Sequence, residues 1–295
     1  MIPTKAMAST TLPLLLLHLL LLAACMDWAK SDRPATSFYE NYEGSWGGDR
    51  IQILNKETEA SLFMDKASGS GFGSKLKYGS GFFHMKIKLP GKNSAGVVTA
   101  FYLASDSSTN HAELDFEFLG NLEGKPIILQ TNVFANGKGN REQRIRLWFD
   151  PSADLHDYKI LWNTNQIVFY VDDTPIRVFA NKENIGVGYP SQPMQLIASL
   201  WNGDSWATDG GKTKVDWSYA PFNAIFQGFD VDGCVSVSSH DAHCSSPSLW
   251  WNSARYQQLS ASEKSAYQNV RRTYMTYDYC NDVQRFPNPP PECPQ

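Results

Sequence analysis

Residues 111–120 read HAELDFEFLG, and this stretch determines the expected fold. In a β-strand, successive side chains point to opposite faces, so residues of the same parity share a face. One face is polar and carries His111, Glu113, Asp115 and Glu117; the other is apolar and carries Ala112, Leu114, Phe116 and Phe118. This pattern predicts a central strand with a core on one side and a water-filled cleft on the other.

Further strands are predicted on both sides of this stretch. They cover residues 79–90, 96–104, 125–135, 141–149, 166–179 and 192–201. Alternation is clearest in 79–90, where every second residue from Phe83 to Leu89 is apolar. Residues 166–179 read as a hairpin with Asp172 and Asp173 near the turn. Many short strands separated by turn signals predict an all-β antiparallel sandwich or barrel.

A helix is indicated only near the C-terminus. Ser260 and Glu263 have the spacing of a capping box. Four apolar residues then recur at helical spacing, and they are Tyr267, Val270, Tyr274 and Tyr277. We therefore interpret residues 234–295 as a C-terminal extension that contains a helix and packs on the sandwich.

The N-terminal residues 1–25 are predicted to be a cleaved secretory signal peptide. Lys5 is the only charged residue before Asp27, and the apolar run from Leu12 to Ala24 is shorter than the ~20 residues that span a bilayer. A buried helix and, at Cys25, a bacterial lipoprotein box are the alternatives. No later stretch is long enough for a transmembrane helix, so no membrane span is expected.

Removing the signal leaves four cysteines, an even number that suits an oxidising compartment. They are Cys234, Cys244, Cys280 and Cys293. Three disulfide pairings are possible, and pairing between neighbours in the sequence would close two small loops. A zinc site is the competing interpretation, helped by His240 and His243 but weakened by the absence of a close C-x-x-C pair. Calcium binding near Asp230 and Asp232 lacks the loop spacing of known calcium sites.

The composition restricts the class of ligand. Twenty-six basic and 30 acidic side chains give a net charge of −4. Nucleic acid is not an expected partner, because phosphate binding needs a concentrated basic face. The chain has nine Trp residues, more than packing usually needs. Flat apolar rings with a polar edge suit sugar faces, which indicates a carbohydrate ligand.

The three carboxylates of 111–120 suggest a specific chemistry. Glu113 and Glu117 are four residues apart, so their Cα atoms are about 13 Å apart on a strand. Their side chains reach toward each other, which brings the carboxyl groups to about 5 Å, the separation of a retaining glycosidase. Asp115 lies between them and can hold Glu113. Mutual repulsion should raise at least one pKa. A solvated strand face is the alternative.

Several long segments resemble the plant xyloglucan endotransglucosylase/hydrolases of glycoside hydrolase family 16. These segments are HAELDFEFLG, QTNVFANGKGNREQRIRLWFDP, FYVDDTPIRVFAN, SLWNGDSWATDGG and KVDWSYAPF, and the similarity runs from Tyr39 to Cys293. The resemblance implies a concanavalin-like β-jelly-roll sandwich of two curved antiparallel sheets, with a sugar cleft on the concave face. The catalytic domain would cover 26–233.

The resemblance also implies an activity. The enzyme would cleave the β-1,4-glucan backbone of xyloglucan and transfer the new end to another xyloglucan chain or to water. Donor and acceptor xyloglucan chains would be its partners, with no metal or organic cofactor, and the protein would be a secreted monomer of the plant cell wall, or apoplast. A plant origin argues against the lipoprotein box.

Residue roles follow by motif. Glu113 would be the nucleophile, Asp115 its helper and Glu117 the general acid/base. The implied substrate-binding residues are Gln130, Thr131, Asn132, Asn140, Arg141, Glu142, Trp201, Ser205, Trp206, Gly210 and Arg285. Arg285 would reach an acceptor-side xylose. The family pairs its cysteines as sequence neighbours, which supports Cys234–Cys244 and Cys280–Cys293.

The sequence departs from the family pattern at three places. Ala112 replaces the usual Asp, but by strand parity it points away from the cleft. No N-glycosylation sequon is present, and Ser205 replaces a usual Asp. By the resemblance, hydrolase-dominant members of the family have a longer loop at 201–215, so the length of this loop favours a transferase. A hydrolase of the same fold and a non-catalytic lectin-like wall-binding protein remain the alternatives.

Overall fold

The computed structural model describes residues 35–293, and the predicted signal peptide at 1–25 lies outside them. The described residues form two α-helices, α1 Phe38–Asn41 and α2 Ala261–Thr273. The strands are β1 Tyr42–Trp46, β2 Ile51–Leu54, β3 Glu59–Met64, β4 Ser70–Lys88, β5 Val97–Ala104, β6 Glu113–Leu119, β7 Ile128–Phe134, β8 Gln143–Arg146, β9 His156–Trp162, β10 Gln166–Val171, β11 Thr174–Ala180, β12 Met194–Asn202, β13 Phe222–Gln227, β14 Asp232–Val235 and β15 Met275–Asp278.

The strands form two antiparallel sheets that share the 19-residue strand β4. The cleft sheet has the order β1-β4-β12-β5-β6-β7-β8-β15, and the outer sheet has the order β2-β3-β13-β4-β9-β10-β11. The first half of β4 pairs with β1 and β12, its second half pairs with β9 and β13, and its middle pairs with the remaining strand, β14. Gly81 lies where β4 passes from one sheet to the other. A Cβ there would lie 2.6 Å from the Asp232 carbonyl oxygen of β14, so no side chain fits.

Aromatic residues fill the space between the two sheets. The ring of Phe116 on β6 lies 5.1 Å from that of Phe169 on β10, edge to face. Phe72 on β4 meets Phe226 on β13 in the same way at 5.4 Å. Such pairs add about 0.5–1.5 kcal/mol each beyond the burial of their area. The packing confirms the predicted sandwich and makes β6 a central strand with a buried rear face.

The six predicted strand regions are all present, with shorter or longer bounds. The alternation in 79–90 is confirmed, because every second side chain from Phe83 to Leu89 is buried. This region forms the second half of the much longer β4. The predicted hairpin at 166–179 is also confirmed, with β10 and β11 joined across Asp172 and Asp173.

The helix prediction was partly wrong. The Ser260–Glu263 capping box is present, but α2 ends at Thr273. Tyr277, expected on the apolar face of this helix, lies on β15, which pairs with β8 and completes the cleft sheet. Residues 275–278 satisfy their backbone hydrogen bonds by pairing with β8 and not within a helix. The helical spacing of Tyr277 relative to Tyr274 is therefore a coincidence.

The extension contains two disulfides, Cys234–Cys244 and Cys280–Cys293, which close loops with sequence separations of 10 and 13 residues. This confirms the pairing of sequence neighbours and contradicts the zinc alternative, because each of the four sulfur atoms is bonded to another in one of the two pairs. Strand β14 spans the predicted boundary between 233 and 234. Across residues 35–293, no helix combines the length and the apolar character needed to cross a membrane.

Candidate active site

Strand β6 presents Glu113, Asp115 and Glu117 side by side on the concave face of the cleft sheet. The three side chains line a cavity of about 210 Å³. Its other walls come from the neighbouring strands β5 and β12, through Ala100, Tyr102, Ser199 and Trp201. The rear face of β6 is buried, and Ala112 is buried just before the strand, as strand parity predicts. The predicted polar and apolar faces are therefore both present.

At the Glu113 end, the nucleophile candidate has two partners. His111 Nε2 lies 3.0 Å from Glu113 Oε2. Asp115 is buried, and its burial raises its pKa well above the ordinary range. The charges on Glu113 and Glu117 and a side-chain hydrogen bond to Glu113 raise this pKa further. The protonated form of Asp115 is the donor in that hydrogen bond.

At the Glu117 end, the partners are different. Gln130 of β7 lies opposite Glu117, and its Nε2 donates to Glu117 Oε2 over 2.7 Å. Arg144 of β8 donates from Nε to Gln130 Oε1 over 2.7 Å, which fixes the orientation of the amide. Burial raises the pKa of Glu117, and the Gln130 hydrogen bond partly counters this. Glu117 is therefore suited to hold a proton and release it.

Tyr102 is a site residue that sequence reasoning missed. It pairs with Asp115 across β5 and β6 and lines the cavity. Burial and the three nearby carboxylates raise the pKa of Tyr102 to about 12, so its hydroxyl remains a donor near neutral pH. The signal in the sequence was a tyrosine within a largely apolar strand. Its position beside Asp115 depends on the pairing of β5 with β6.

Thr131 and Asn132 were both predicted to bind substrate, but their side chains point to opposite sides of β7. Asn132 lies opposite Asp115 on the concave face, and its Oδ1 accepts from the backbone N–H of Arg141. Thr131 points to the other side of β7, where it is buried and accepts from Arg177 Nη1 over 3.0 Å. The structure therefore does not bring Thr131 to the cleft. Strand alternation makes it impossible for neighbouring residues to face the cleft together.

Asn140, Glu142 and Arg285 come together at the β8 and β15 side of the sheet. Arg285 Nη1 contacts Glu142 Oε2 at 2.6 Å, and its Nη2 donates to Asn140 Oδ1 over 2.6 Å. The predicted sugar-binding residues of this region thus form one exposed cluster, joined by Tyr277, whose hydroxyl lies 3.4 Å from Arg285 Nη1.

Arg141 is placed differently from its neighbours. Its Nε contacts Glu292 Oε1 at 2.6 Å, and its Nη1 donates to the carbonyl oxygens of Val133 and Lys138. Both members of the ion pair are largely buried. The guanidinium is therefore occupied in fixing the C-terminal tail to the sandwich. Its predicted contact with substrate is not supported by this geometry.

Comparison with known proteins identifies the family. Residues 38–219 match the model of glycosyl hydrolases family 16, and residues 245–293 match that of the xyloglucan endo-transglycosylase C-terminus. The chain belongs to glycosyl hydrolase family 16. It is 59% identical over 263 residues to xyloglucan endotransglucosylase/hydrolase protein 2 of Arabidopsis thaliana, covering 88% of this chain and 90% of that relative.

Solved structures agree on the fold of this family 16 member. A Bacillus licheniformis β-glucanase matches with a TM-score of 0.51 and 23% identity, over 63% of this chain and 89% of that one. The Crh5 transglycosylase matches with a TM-score of 0.53 and 21% identity, over 69% and 82%. The predicted family and the predicted jelly-roll sandwich are therefore confirmed.

The loop after β12 carries the remaining residues that were predicted to bind substrate in this family 16 member. The ring of Trp206 lies 6.1 Å from that of Trp201, which lines the cavity. Ser205 and Gly210 are exposed and lie outside the cavity lining. The glycine that the loop requires is Gly211, where φ is +83° and a Cβ would lie 2.1 Å from the Ser205 carbonyl oxygen.

Within residues 35–293, no three or more His, Cys, Asp or Glu side chains are arranged to hold a metal ion. Asp230, considered above for calcium, lies 3.2 Å from His84 Nε2.

Proposed function

We propose that this protein is a xyloglucan endotransglucosylase that cleaves its donor with retention and transfers it to a second xyloglucan chain. One observation carries the proposal. Two glutamates share one face of β6 in an open cavity, and a third carboxyl between them has a pKa well above the ordinary range. Such a set separates the roles of nucleophile and acid, which retaining glycoside cleavage needs.

In the first step, Glu117 donates its proton to the glycosidic oxygen while Glu113 attacks the anomeric carbon. The C–O bond to the leaving sugar breaks, and a covalent glycosyl-enzyme ester forms at Glu113. The raised pKa of Glu117 supports the role of acid. Asp115 donates to Glu113 and holds its carboxylate toward the sugar.

In the second step, the ionised Glu117 removes the proton from the 4-hydroxyl of an incoming xyloglucan end. That oxygen attacks the anomeric carbon and releases Glu113, with overall retention of configuration. Transfer exceeds hydrolysis when the acceptor is held better than water. The exposed cluster of Asn140, Glu142 and Arg285 supports such an acceptor site, with charged and amide groups that suit sugar hydroxyls.

The relatives support the choice of substrate. The relative compared above is named a xyloglucan endotransglucosylase/hydrolase, and residues 245–293 match the C-terminal model of xyloglucan endo-transglycosylases. We further propose that residues 1–25 direct secretion to the plant cell wall, that 26–233 form the catalytic domain, and that 234–295 extend its acceptor side. Two disulfides agree with an oxidising compartment.

The test is incubation with xyloglucan and a fluorescently tagged xyloglucan oligosaccharide, followed by size separation. A transferase moves the tag into long chains without a matching rise in reducing ends. Shorter chains with new reducing ends and no tagged polymer would indicate a hydrolase instead. Binding with neither product would indicate a lectin-like protein and contradict the proposal.

A further inference from the structure

A straight row of residues crosses the cleft sheet through Glu117. Ala100 of β5 pairs with Glu117, Ser199 of β12 pairs with Ala100, and Gly71 of β4 pairs with Ser199. Trp46 of the edge strand β1 pairs with Gly71 and ends the row on this side. Phe72 is buried in the core, so Gly71 beside it faces the cleft.

The other side of the row leads to the Arg285 cluster. Gln130 pairs with Glu117, Arg144 pairs with Gln130, and Tyr277 of β15 pairs with Arg144. The Tyr277 hydroxyl lies 3.4 Å from Arg285. The row therefore connects two ends of the concave face, with the carboxylates between them.

The indole of Trp46 lies directly on β4, above two glycines. A Cβ at Gly71 would lie 2.5 Å from Trp46 Nε1, and one at Gly69 would lie 3.1 Å from Trp46 Cη2. Real Cβ atoms do not approach other atoms as closely as the first of these distances. Because glycine has no side chain, the Trp46 ring can lie close against the sheet at these two positions.

The outward side of this ring is free. Trp46 is 41% exposed, and within residues 35–293 its indole takes part in no ring contact or side-chain hydrogen bond that the structure records. Trp250 has nearly the same exposure, 39%, but packs against Phe82, Trp251 and Tyr256. The neighbour of Phe82 in β4, Phe83, faces the core, so the Trp250 cluster covers the outside of the outer sheet.

We propose that Trp46 is a stacking platform for a glucan ring of the donor chain, remote from the cleaved bond. Its indole lies over β4, three strands from β6, or about 14 Å at the usual strand spacing. The ligand is a β-linked glucan backbone, because an exposed indole that lies against the sheet presents a planar apolar surface that fits the apolar face of a pyranose. The inference rests on the proposed function, which assigns the Arg285 end to the acceptor and so the Trp46 end to the donor.

The first experiment compares Trp46→Ala with Trp250→Ala, using xyloglucan oligosaccharide donors of increasing backbone length. For long donors, we expect Trp46→Ala to lower kcat/KM about threefold to tenfold through KM, because one stacking contact is lost. Donors too short to reach β4 should react as with the wild type. Acceptor-length dependence should be unchanged, and Trp250→Ala should match the wild type throughout. An effect of Trp46→Ala on acceptor length instead would overturn the assignment to the donor.

A second variant keeps the indole and moves it. Gly71→Ala places a methyl group against Trp46 Nε1 and should reproduce the donor-length effect. The melting temperature of each variant shows whether it is folded. Equal losses for short and long donors in both variants would mean that Trp46 only supports the sheet edge, and would refute the inference.

A binding measurement separates this inference from the proposed function. In a Glu113→Ala background, xyloglucan in a native gel should retard the protein, and adding Trp46→Ala should weaken the retardation. Retardation that Trp46→Ala leaves unchanged overturns the donor platform alone. A Glu113→Ala protein that xyloglucan does not retard, together with a wild type that transfers nothing, overturns the proposed function and this inference with it.

Discussion

Glu113 and Glu117 have chemically identical side chains and lie four residues apart on one face of one strand, but their surroundings differ. Glu113 has His111 and Asp115 as partners, both from its own stretch of sequence, and the pKa of Asp115 is raised. Glu117 has Gln130, oriented by Arg144, and both belong to the next two strands. The difference teaches that strand pairing, as well as the motif, gives two identical groups opposite roles.

The largest expected effect comes from the Glu113 end. Glu113→Ala removes the attacking group, and we expect transfer and cleavage to fall by on the order of 10⁴-fold or more. The fold should persist, since Glu113 faces the cavity and not the core. Product sizing gives the activity, and thermal melting gives the stability. Substantial activity in a folded variant would remove the nucleophile assignment.

The Glu117 end should respond differently to the same substitution. Glu117→Ala removes the acid, so natural donors should react about 10²–10⁴-fold more slowly. A donor with an activated leaving group needs no protonation and should still form the glycosyl-enzyme. Mass spectrometry of the trapped intermediate checks this. Equal losses for natural and activated donors would abolish the distinction between the two ends.

Substitutions of Asp115 test whether it acts as a hydrogen-bond donor to Glu113. Asp115→Ala leaves Glu113 without a donor, and we expect a loss of about 10²-fold through misplacement of the carboxylate. Asp115→Asn keeps an N–H donor of the same shape and should retain about tenfold more activity than Asp115→Ala. Steady-state kinetics of the two variants give the ratio. If Asn is no better than Ala, the donor role of Asp115 is wrong.

The differences between the two ends also show what sequence can predict. Alternation along 111–120 is local, so it correctly predicted the shared face of the carboxylates and the buried position of Ala112. The Gln130–Arg144 contact, Tyr102 beside Asp115 and the Trp46 platform depend on pairing between strands distant in sequence, which no local period determines.

Three residues lie in surroundings that differ from those predicted for them, and the reasons can be given one by one. Thr131 was assigned to the cleft with its neighbours because the motif is contiguous, although alternation turns it to the core. Arg141 was treated as a sugar ligand, yet its partner Glu292 is 151 residues away in the sequence. Tyr277 continued a helical spacing, although its backbone pairs with β8. The differences at Arg141 and Tyr277 arise from contacts that only the folded chain brings together, whereas the orientation of Thr131 follows from local alternation.

The smallest expected effect is a shift in pH dependence at the Glu117 end. The Gln130 hydrogen bond stabilises the ionised Glu117 and so lowers its pKa, against the larger effect of burial. Gln130→Leu should therefore raise this pKa further. Because the first step needs protonated Glu117, the alkaline limb of kcat/KM should move to higher pH, with at most about a tenfold loss in kcat.

Arg144→Met is the matched variant for this prediction. It frees the Gln130 amide to rotate and removes a positive charge that also lowers the pKa of Glu117. Its alkaline limb should move in the same direction as that of Gln130→Leu, whereas Trp250→Ala on the outer sheet should leave the profile unchanged. If both cleft variants change KM with the alkaline limb fixed, Gln130 acts on the sugar alone. The two ends of β6 would then differ only through Asp115 and His111.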